Sequence, residues 1–226
     1  MIAAGLALIV GSLGGMLTMH IHPSGAASIT TSAQLEHLAA ASGIAYSLGL
    51  VSVLLLFLGA CGLARRLGAP DRIAFAALVT YGFACVAVMI AAAVSGFIVP
   101  HIMNHMLRDA PANAHQWQVV ASGIFQINQG TAEIFSVGAS IAIILWSVSA
   151  FRNGGLSRWA AIFGCVIALV IIVGIFGISL GRLRLDVQGM AAVMLGQALW
   201  FIVAGVQLCG PNVTCPTYEK PGASRA

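Results

Sequence analysis

The chain has 226 residues, of which 60% are hydrophobic and 7% are charged. Soluble domains carry roughly a quarter of charged residues, so this composition excludes an ordinary soluble domain and indicates an integral membrane protein. Charge is also too scarce for a disordered chain or a nucleic-acid-binding protein. The five cysteines are too dispersed for a disulfide scaffold. The partner that the composition predicts is a lipid bilayer.

Six apolar segments are each long enough to cross a hydrocarbon core of roughly 30 Å, which takes about 20 helical residues. In chain order they cover residues 1–19, 43–64, 73–99, 123–151, 159–180 and 187–208. We therefore predict an all-α integral membrane protein, a six-transmembrane-helix bundle of antiparallel hairpins within residues 1–210. A disordered cytoplasmic tail is expected at 211–226.

The first segment has an alternative interpretation as a secretory signal peptide, because Ser24-Gly25-Ala26 follows it as a small-residue cleavage site. However, the segment lacks a basic start, and its apolar run is longer than that of most signal peptides. We expect an uncleaved first span.

Basic residues divide unevenly between the two sets of connections, which predicts the orientation. Seven lie between spans two and three, between spans four and five, or in the tail: Arg65, Arg66, Arg72, Arg152, Arg158, Lys220 and Arg225. Three lie on the other side: Arg108, Arg182 and Arg184. Because Lys and Arg accumulate in cytoplasmic loops, we predict cytoplasmic termini in a plasma membrane, namely a bacterial inner membrane. The longer connections, 20–42 and 100–122, then lie outside.

All six histidines lie in or beside these two outer connections: His20, His22, His37, His101, His105 and His115. His101 and His105 are four residues apart, which places both imidazoles on one side of a helical turn. Together with His20 and His22 they would offer four nitrogen ligands to a metal ion or a haem iron. Alternatively the histidines are interfacial, with an apolar ring and a polar edge at the headgroup level.

The fourth span carries a polar stripe. Its members recur every three or four positions: Ser122, Gln126, Gln129, Glu133, Ser136 and Ser140. This spacing places them on one helical face, which we expect to face the bundle. Glu133 is the only acid inside a predicted span, and such a residue suggests ligand binding or proton movement. Its alternative role is that of a structural hydrogen-bond anchor.

Other polar residues on the outer side are candidates to assist Glu133. Gln126, Asn128 and Gln129 lie above it and would line a descent from the histidines. Arg182 and Arg184 would hold an anionic ligand or pair with Glu133; the alternative is snorkelling to lipid phosphates.

The sequence thus predicts a polytopic membrane protein, non-enzymatic or at most cofactor-assisted, that binds a small ligand, such as a metal ion or haem, at a His-rich extracytoplasmic face above Glu133. One alternative is a small proton-coupled transporter that uses Glu133. Another is a structural subunit of a larger membrane complex, in which the histidine segments contact partner subunits or another copy. An enzyme that uses Glu133 and a histidine for acid–base chemistry is less favoured.

Overall fold

The computed structural model describes residues 1–21, 32–68, 71–108, 114–179 and 187–210, and the regular elements in these ranges are all helical. The helices are α1 (Ile2–Ile21), α2 (Ser32–Arg66), α3 (Arg72–Ala93), a π-helical turn (Val94–Ile98), α4 (Val99–Arg108), α5 (Ala114–Asn153), α6 (Arg158–Ser179) and α7 (Val187–Cys209). The predicted tail, 211–226, lies outside the described residues.

Six helical stretches in the described part are long and apolar enough to cross a membrane. They are Ile2–Ile21, Glu36–Arg66, Arg72–Met106, His115–Asn153, Arg158–Gly177 and Gly189–Cys209. The third stretch contains α3, the π-helical turn and most of α4. The prediction of an all-helical chain with six such helices is confirmed for the residues described.

The helices extend beyond the predicted spans at the end of the bundle that carries the histidines. Helix α2 begins at Ser32 and α5 at Ala114, each about ten residues before the predicted span, and α4 occupies residues expected to form a connection. The 40 residues of α5 span about 60 Å at 1.5 Å per residue, twice the thickness of the hydrocarbon core. Polar residues mark where the apolar environment ends, whereas backbone hydrogen bonding continues past that level. The five described histidines, His20, His37, His101, His105 and His115, therefore lie on helices and not in loops.

Helix α1 packs between α2 and α7 through small residues. A Cβ atom built on Gly5 would lie 2.5 Å from Cys209 Sγ and 2.5 Å from the Gly205 carbonyl oxygen. On the other side, a Cβ atom on Gly11 would lie 2.9 Å from the Ser52 carbonyl oxygen. Backbones that approach this closely gain dispersion contacts, which are a main source of helix association in lipid.

The centre of the bundle is an aromatic cluster contributed by α3, α5 and α7. Tyr81, Trp146 and Trp200 are fully buried, and Phe201 is 2% exposed. The two indole rings are stacked at 6.0 Å between centroids, and Tyr81 lies 5.2 Å from Phe201. The Trp200 indole nitrogen donates to the Ala160 carbonyl at 3.1 Å, which ties α6 to the cluster. This cluster forms the floor beneath the cavities described below.

At one end of the bundle, the two short turns lie against each other. A Cβ atom on Gly155 would meet the Arg66 carbonyl oxygen at 3.2 Å, so the α5–α6 turn touches the end of α2. Gly155 has a φ of 91°, a left-handed conformation that glycine adopts without steric cost. Gln207 of α7 closes the same end, because its amide accepts from the Ser157 N–H at 2.7 Å and donates to the Ser157 hydroxyl at 2.9 Å.

Asp71 caps the start of α3 at this end. Its carboxylate accepts from the Ile73 N–H at 3.1 Å, from the Asn153 amide at 2.8 Å and from the Ser149 hydroxyl. The Ser149 hydrogen bond is the largest of the effects that hold the pKa of Asp71 below its ordinary value. The cap therefore joins the α2–α3 turn to the end of α5.

Candidate functional site

Two cavities lie between the aromatic cluster and the end of the bundle that carries the histidines, which we call the outer end, and they meet at three polar residues. The inner cavity has a volume of about 250 Å³ and the outer one about 560 Å³. Tyr46, Ser95 and Asn128 line both. We call these three residues the polar trio. Concave sites with apolar walls and a few convergent polar groups are the usual form of a small-molecule site.

The walls of both cavities are mainly apolar. Below the trio, the apolar side chains of the inner cavity are Val53, Leu56, Tyr81, Val88, Phe135, Met190 and Met194, and Thr18, Ser52 and Gln129 add polar groups. Besides the trio, the outer cavity includes the hydroxyl groups of Ser42 and Ser122 and the exposed ring of Phe125. The two cavities therefore differ in position rather than in polarity, and the outer cavity leads toward the exposed ends of α4 and α5.

The polar trio combines side chains from three separate elements. Ser95, on the π-helical turn, donates its hydroxyl to the Asn128 side-chain oxygen of α5 at 3.1 Å. Tyr46, on α2, is hydrogen-bonded through its side chain to Ser95. The chain of hydroxyl, hydroxyl and amide groups crosses the bundle between α2 and α5. It offers donors and acceptors to a polar group on a bound molecule.

The π-helical turn positions Ser95. Its wider ring is closed by the Val99 N–H, which donates to the Val94 carbonyl five residues earlier. Gly96 in this turn packs directly on Tyr46, because a Cβ atom at Gly96 would lie 2.6 Å from the Tyr46 Cβ and 3.0 Å from its Cγ. Glycine thus permits the approach of α2 that brings Tyr46 to Ser95. Single π-helical turns inside α-helices occur frequently at functional sites.

Glu133 lies one hydrogen bond away from the inner cavity. The Gln129 side chain, which lines that cavity, donates its amide to Glu133 Oε1 at 3.1 Å. Glu133 itself is half-buried. Arg182 and Arg184, the predicted partners of this carboxylate, lie outside the described residues.

The polar stripe of α5 faces the bundle only in its inner half. Ser136 and Ser140 are fully buried, and Gln197 of α7 donates to the Ser136 carbonyl at 2.9 Å and to the Ser140 hydroxyl at 3.1 Å. Gln126 is exposed and lines neither cavity, so the prediction that the whole stripe faces inward was wrong for it, whereas Ser122 is exposed but lines the outer cavity. Helix α5 extends beyond its neighbours there, and periodicity alone does not reveal where neighbours end.

The histidines of α4 form a pair on the outer side. The rings of His101 and His105 lie 4.9 Å apart between centroids, and His105 stacks on Trp117 of α5 at 5.0 Å with 15° between the planes. His20 is exposed at the end of α1, and His22 lies outside the described residues. Within the described ranges, no three His, Cys, Asp or Glu side chains are grouped closely enough to hold a metal ion. The four-histidine metal or haem site stays a prediction.

The helices and cavities together define a multi-pass helical membrane protein with a ligand-sized internal space. The chain matches no protein-family model, and comparisons with curated proteins and with solved structures gave no significant match. The site is therefore interpreted from its own geometry.

The sequence analysis missed Tyr46, Ser95 and Gly96. They lie in largely apolar runs, and they belong to different stretches of chain from Asn128. The available signal was the Ser95-Gly96 pair, a small polar residue beside a glycine within the third span, where close packing or a local helix distortion is common.

Proposed function

We propose that this chain is a multi-pass membrane protein that binds a small amphiphilic ligand inside its helix bundle. The polar trio holds the ligand's polar group, and the apolar wall of the inner cavity holds the rest. The observation that carries this proposal is the meeting of two cavities at a hydrogen-bonded polar group in an otherwise apolar bundle. The site lies deeper than the histidine face that the sequence suggested.

Glu133 makes ligand binding sensitive to protonation in this proposal. A carboxylate accepts the Gln129 amide, whereas a protonated carboxyl group is also a donor, so the Gln129 side chain has different partners in the two states. Because Gln129 lines the inner cavity, a change at Glu133 reaches the ligand. This arrangement supports a carrier that couples ligand movement to a proton as the second form of the same function.

In our proposal, the helices form antiparallel hairpins with both termini in the cytoplasm of a bacterial cell. Two contacts support this topology: the Cys209 thiol lies 3.6 Å from the Ile2 carbonyl, and the α5–α6 turn touches the end of α2. Five arginines stand at helix ends on this side: Arg65, Arg66, Arg72, Arg152 and Arg158. The excess of arginine favours a cytoplasmic location for this end of the bundle.

A second candidate function is the binding of a transition-metal ion at the outer face, favoured by the closeness of the His101 and His105 rings. Zinc binding by the purified protein should then be lost in His101→Ala. Zinc binding that is unchanged in this variant would remove the α4 pair from the proposal.

Native mass spectrometry of the purified protein, with lipid-like molecules identified by organic extraction, tests internal binding. Val88 lines the inner cavity, and Val86, two residues away on α3, is exposed on the outer surface of the bundle. Val88→Trp fills the cavity and should abolish a stoichiometric bound molecule, whereas Val86→Trp should keep it. Equal occupancy in the two variants, or no bound molecule in the wild-type protein, would contradict the proposal.

A further inference from the structure

We infer that the ligand is an uncharged, elongated amphiphile with a single hydrogen-bonding head and an aliphatic chain of the kind found in long-chain alcohols. The head is placed at the polar trio, and the chain is placed in the inner cavity. This inference rests on the proposed function and assigns the chemical class of its ligand.

The shape of the inner cavity selects an elongated molecule. Its lining on α2 runs from Tyr46 to Leu56, a distance of about 15 Å at 1.5 Å per residue. On the third membrane segment, its lining runs from Ser95 on the π-helical turn to Tyr81 of α3, at the aromatic cluster. The lining thus extends along about three helical turns, which suits an elongated molecule.

The side chains that line the two cavities favour a ligand with an uncharged head group. Among the described residues, those that line the two cavities have side chains without a formal charge, and Glu133 reaches the inner cavity only through Gln129. An ion buried among such groups would lack a counter-charge, and its desolvation would oppose binding. Asn128 and Ser95 instead offer dipolar groups that suit a hydroxyl or a carbonyl oxygen.

The direction of the molecule follows from the positions of the two cavities. The outer cavity contains the Ser42 and Ser122 hydroxyls and reaches the exposed Phe125, so it leads toward the outer end of the bundle. The inner cavity ends on buried aromatic side chains. A chain that enters from the outer cavity therefore passes the polar trio before it reaches the floor, and the head remains at the trio.

Photoaffinity labelling in lipid nanodiscs tests the class of ligand. Three probes carry the same chain with a diazirine near its end: a dodecanol, a dodecanoate and a dodecyltrimethylammonium. We expect the dodecanol to label residues around Phe135 and Met194, which line the inner cavity, at least fivefold more than either charged probe. Excess unlabelled dodecanol should compete, and octanol should compete less because it fills less of the cavity.

Three variants test whether labelling depends on the inner cavity and on the polar trio. Val88→Trp should abolish inner-cavity labelling, whereas Val86→Trp should not, and circular dichroism checks that both are folded. Ser95→Ala removes the hydroxyl that bonds Asn128 and should reduce dodecanol labelling severalfold without changing the background labelling of lipid-facing residues.

Each outcome has a definite meaning. Equal inner-cavity labelling by all three probes would overturn the assignment of an uncharged head while leaving internal binding intact. Equal competition by octanol and dodecanol would overturn the elongated shape. Labelling confined to lipid-facing residues, together with an empty protein by native mass spectrometry, would overturn the proposed function itself.

Discussion

Asp71 shows how a single carboxylate can make the end of the bundle sensitive to acid. The Ser149 hydroxyl lowers its pKa most, and the Ile73 N–H, the Ala74 N–H and the Arg152 guanidinium act in the same direction. A carboxyl group with a lower pKa in the folded state contributes stability above its unfolded pKa of about 4. That contribution is lost as the pH falls through the folded pKa.

We expect Asp71→Asn to remove this acid-dependent part of the stability. Asparagine still caps a helix well, so the N-cap is retained, whereas the charge and the oxygen that accepts from Ser149 and Asn153 are lost. The difference in unfolding temperature between wild type and variant should be largest near pH 7 and should shrink toward pH 3, as followed by circular dichroism. A constant difference across this range would mean that the charge of Asp71 has no role.

Glu133 is the residue at which ligand coupling and packing can be separated. Glu133→Gln keeps a side-chain oxygen that can accept from Gln129, so the unfolding temperature should stay close to that of the wild type. Proton uptake or release upon dodecanol binding, measured with a pH indicator, should disappear. Glu133→Leu serves as the control for packing; it removes the hydrogen bond from Gln129 within α5 and should lower stability by about 0.2 to 0.5 kcal/mol, the range for such side-chain pairs within one helix. Unchanged proton exchange in Glu133→Gln would assign Glu133 a structural role only.

At the scale of the helices, α1 depends on its contact with α7. Gly5→Ala would place a methyl group against Cys209 Sγ and the Gly205 carbonyl, both at 2.5 Å, and the carbonyl belongs to rigid backbone. Overpacking of this kind costs about 1–3 kcal/mol. Gly15→Ala in the same helix is the matched control, because no atom lies within 4 Å of its Cβ position. Thermal unfolding in detergent should separate the two variants, and equal unfolding temperatures would contradict the close approach of α1 and α7.

The close contact between Gly96 of the π-helical turn and Tyr46 leads to a separate prediction. Gly96→Ala should push Tyr46 away, because the new methyl group would overlap the Tyr46 Cβ. We expect dodecanol labelling of the inner cavity to fall severalfold, since Tyr46 leaves the polar trio. Gly123→Ala on α5, whose Cβ position has no neighbour within 4 Å, should label as the wild type does. Normal labelling in Gly96→Ala would mean that Tyr46 does not contact the ligand.

Hydropathy located the helices better than it located their ends. A run such as 123–151 must cross the hydrocarbon because its side chains are apolar, and the structure contains a helix there. The same rule placed the start of α5 too late, because residues from Ala114 onward are polar enough for the headgroup level and still satisfy their backbone groups within the helix. The π-helical turn was not predicted either, because five residues are too few for an i to i+5 hydrogen-bond pattern to appear as a periodicity in the sequence.

For the whole molecule, the proposed orientation predicts which turns an impermeant reagent can reach in intact cells. In a variant without native cysteines, a cysteine at Asn113 should be labelled from outside, whereas one at Gly154 should be labelled only after the membrane is opened. The reason is the arginine excess at the end that contains the α5–α6 turn. Labelling at Gly154 in intact cells would reverse the orientation.

The polar trio illustrates what one sequence could not supply. Asn128 was singled out because it lies beside the stripe of α5, but its partner Ser95 is 33 residues away and Tyr46 is on another helix. Which faces of α2, α3 and α5 meet depends on packing among small residues such as Gly96, and many pairings satisfy the same hydropathy. Periodicity correctly grouped Gln129 with Glu133, because that contact lies within one helix.

The π-helical turn also sets the rotational phase between the two ends of the third membrane segment. One residue of an α-helix corresponds to a rotation of about 100°. Deleting a single residue from Val94–Ile98 would therefore turn α4 by roughly this angle relative to α3. His105 would leave the Trp117 ring on which it stacks, while the buried face of α3 kept its place against α5. The five-residue π-helical turn thus fixes the rotation of the histidine pair relative to the cavity wall.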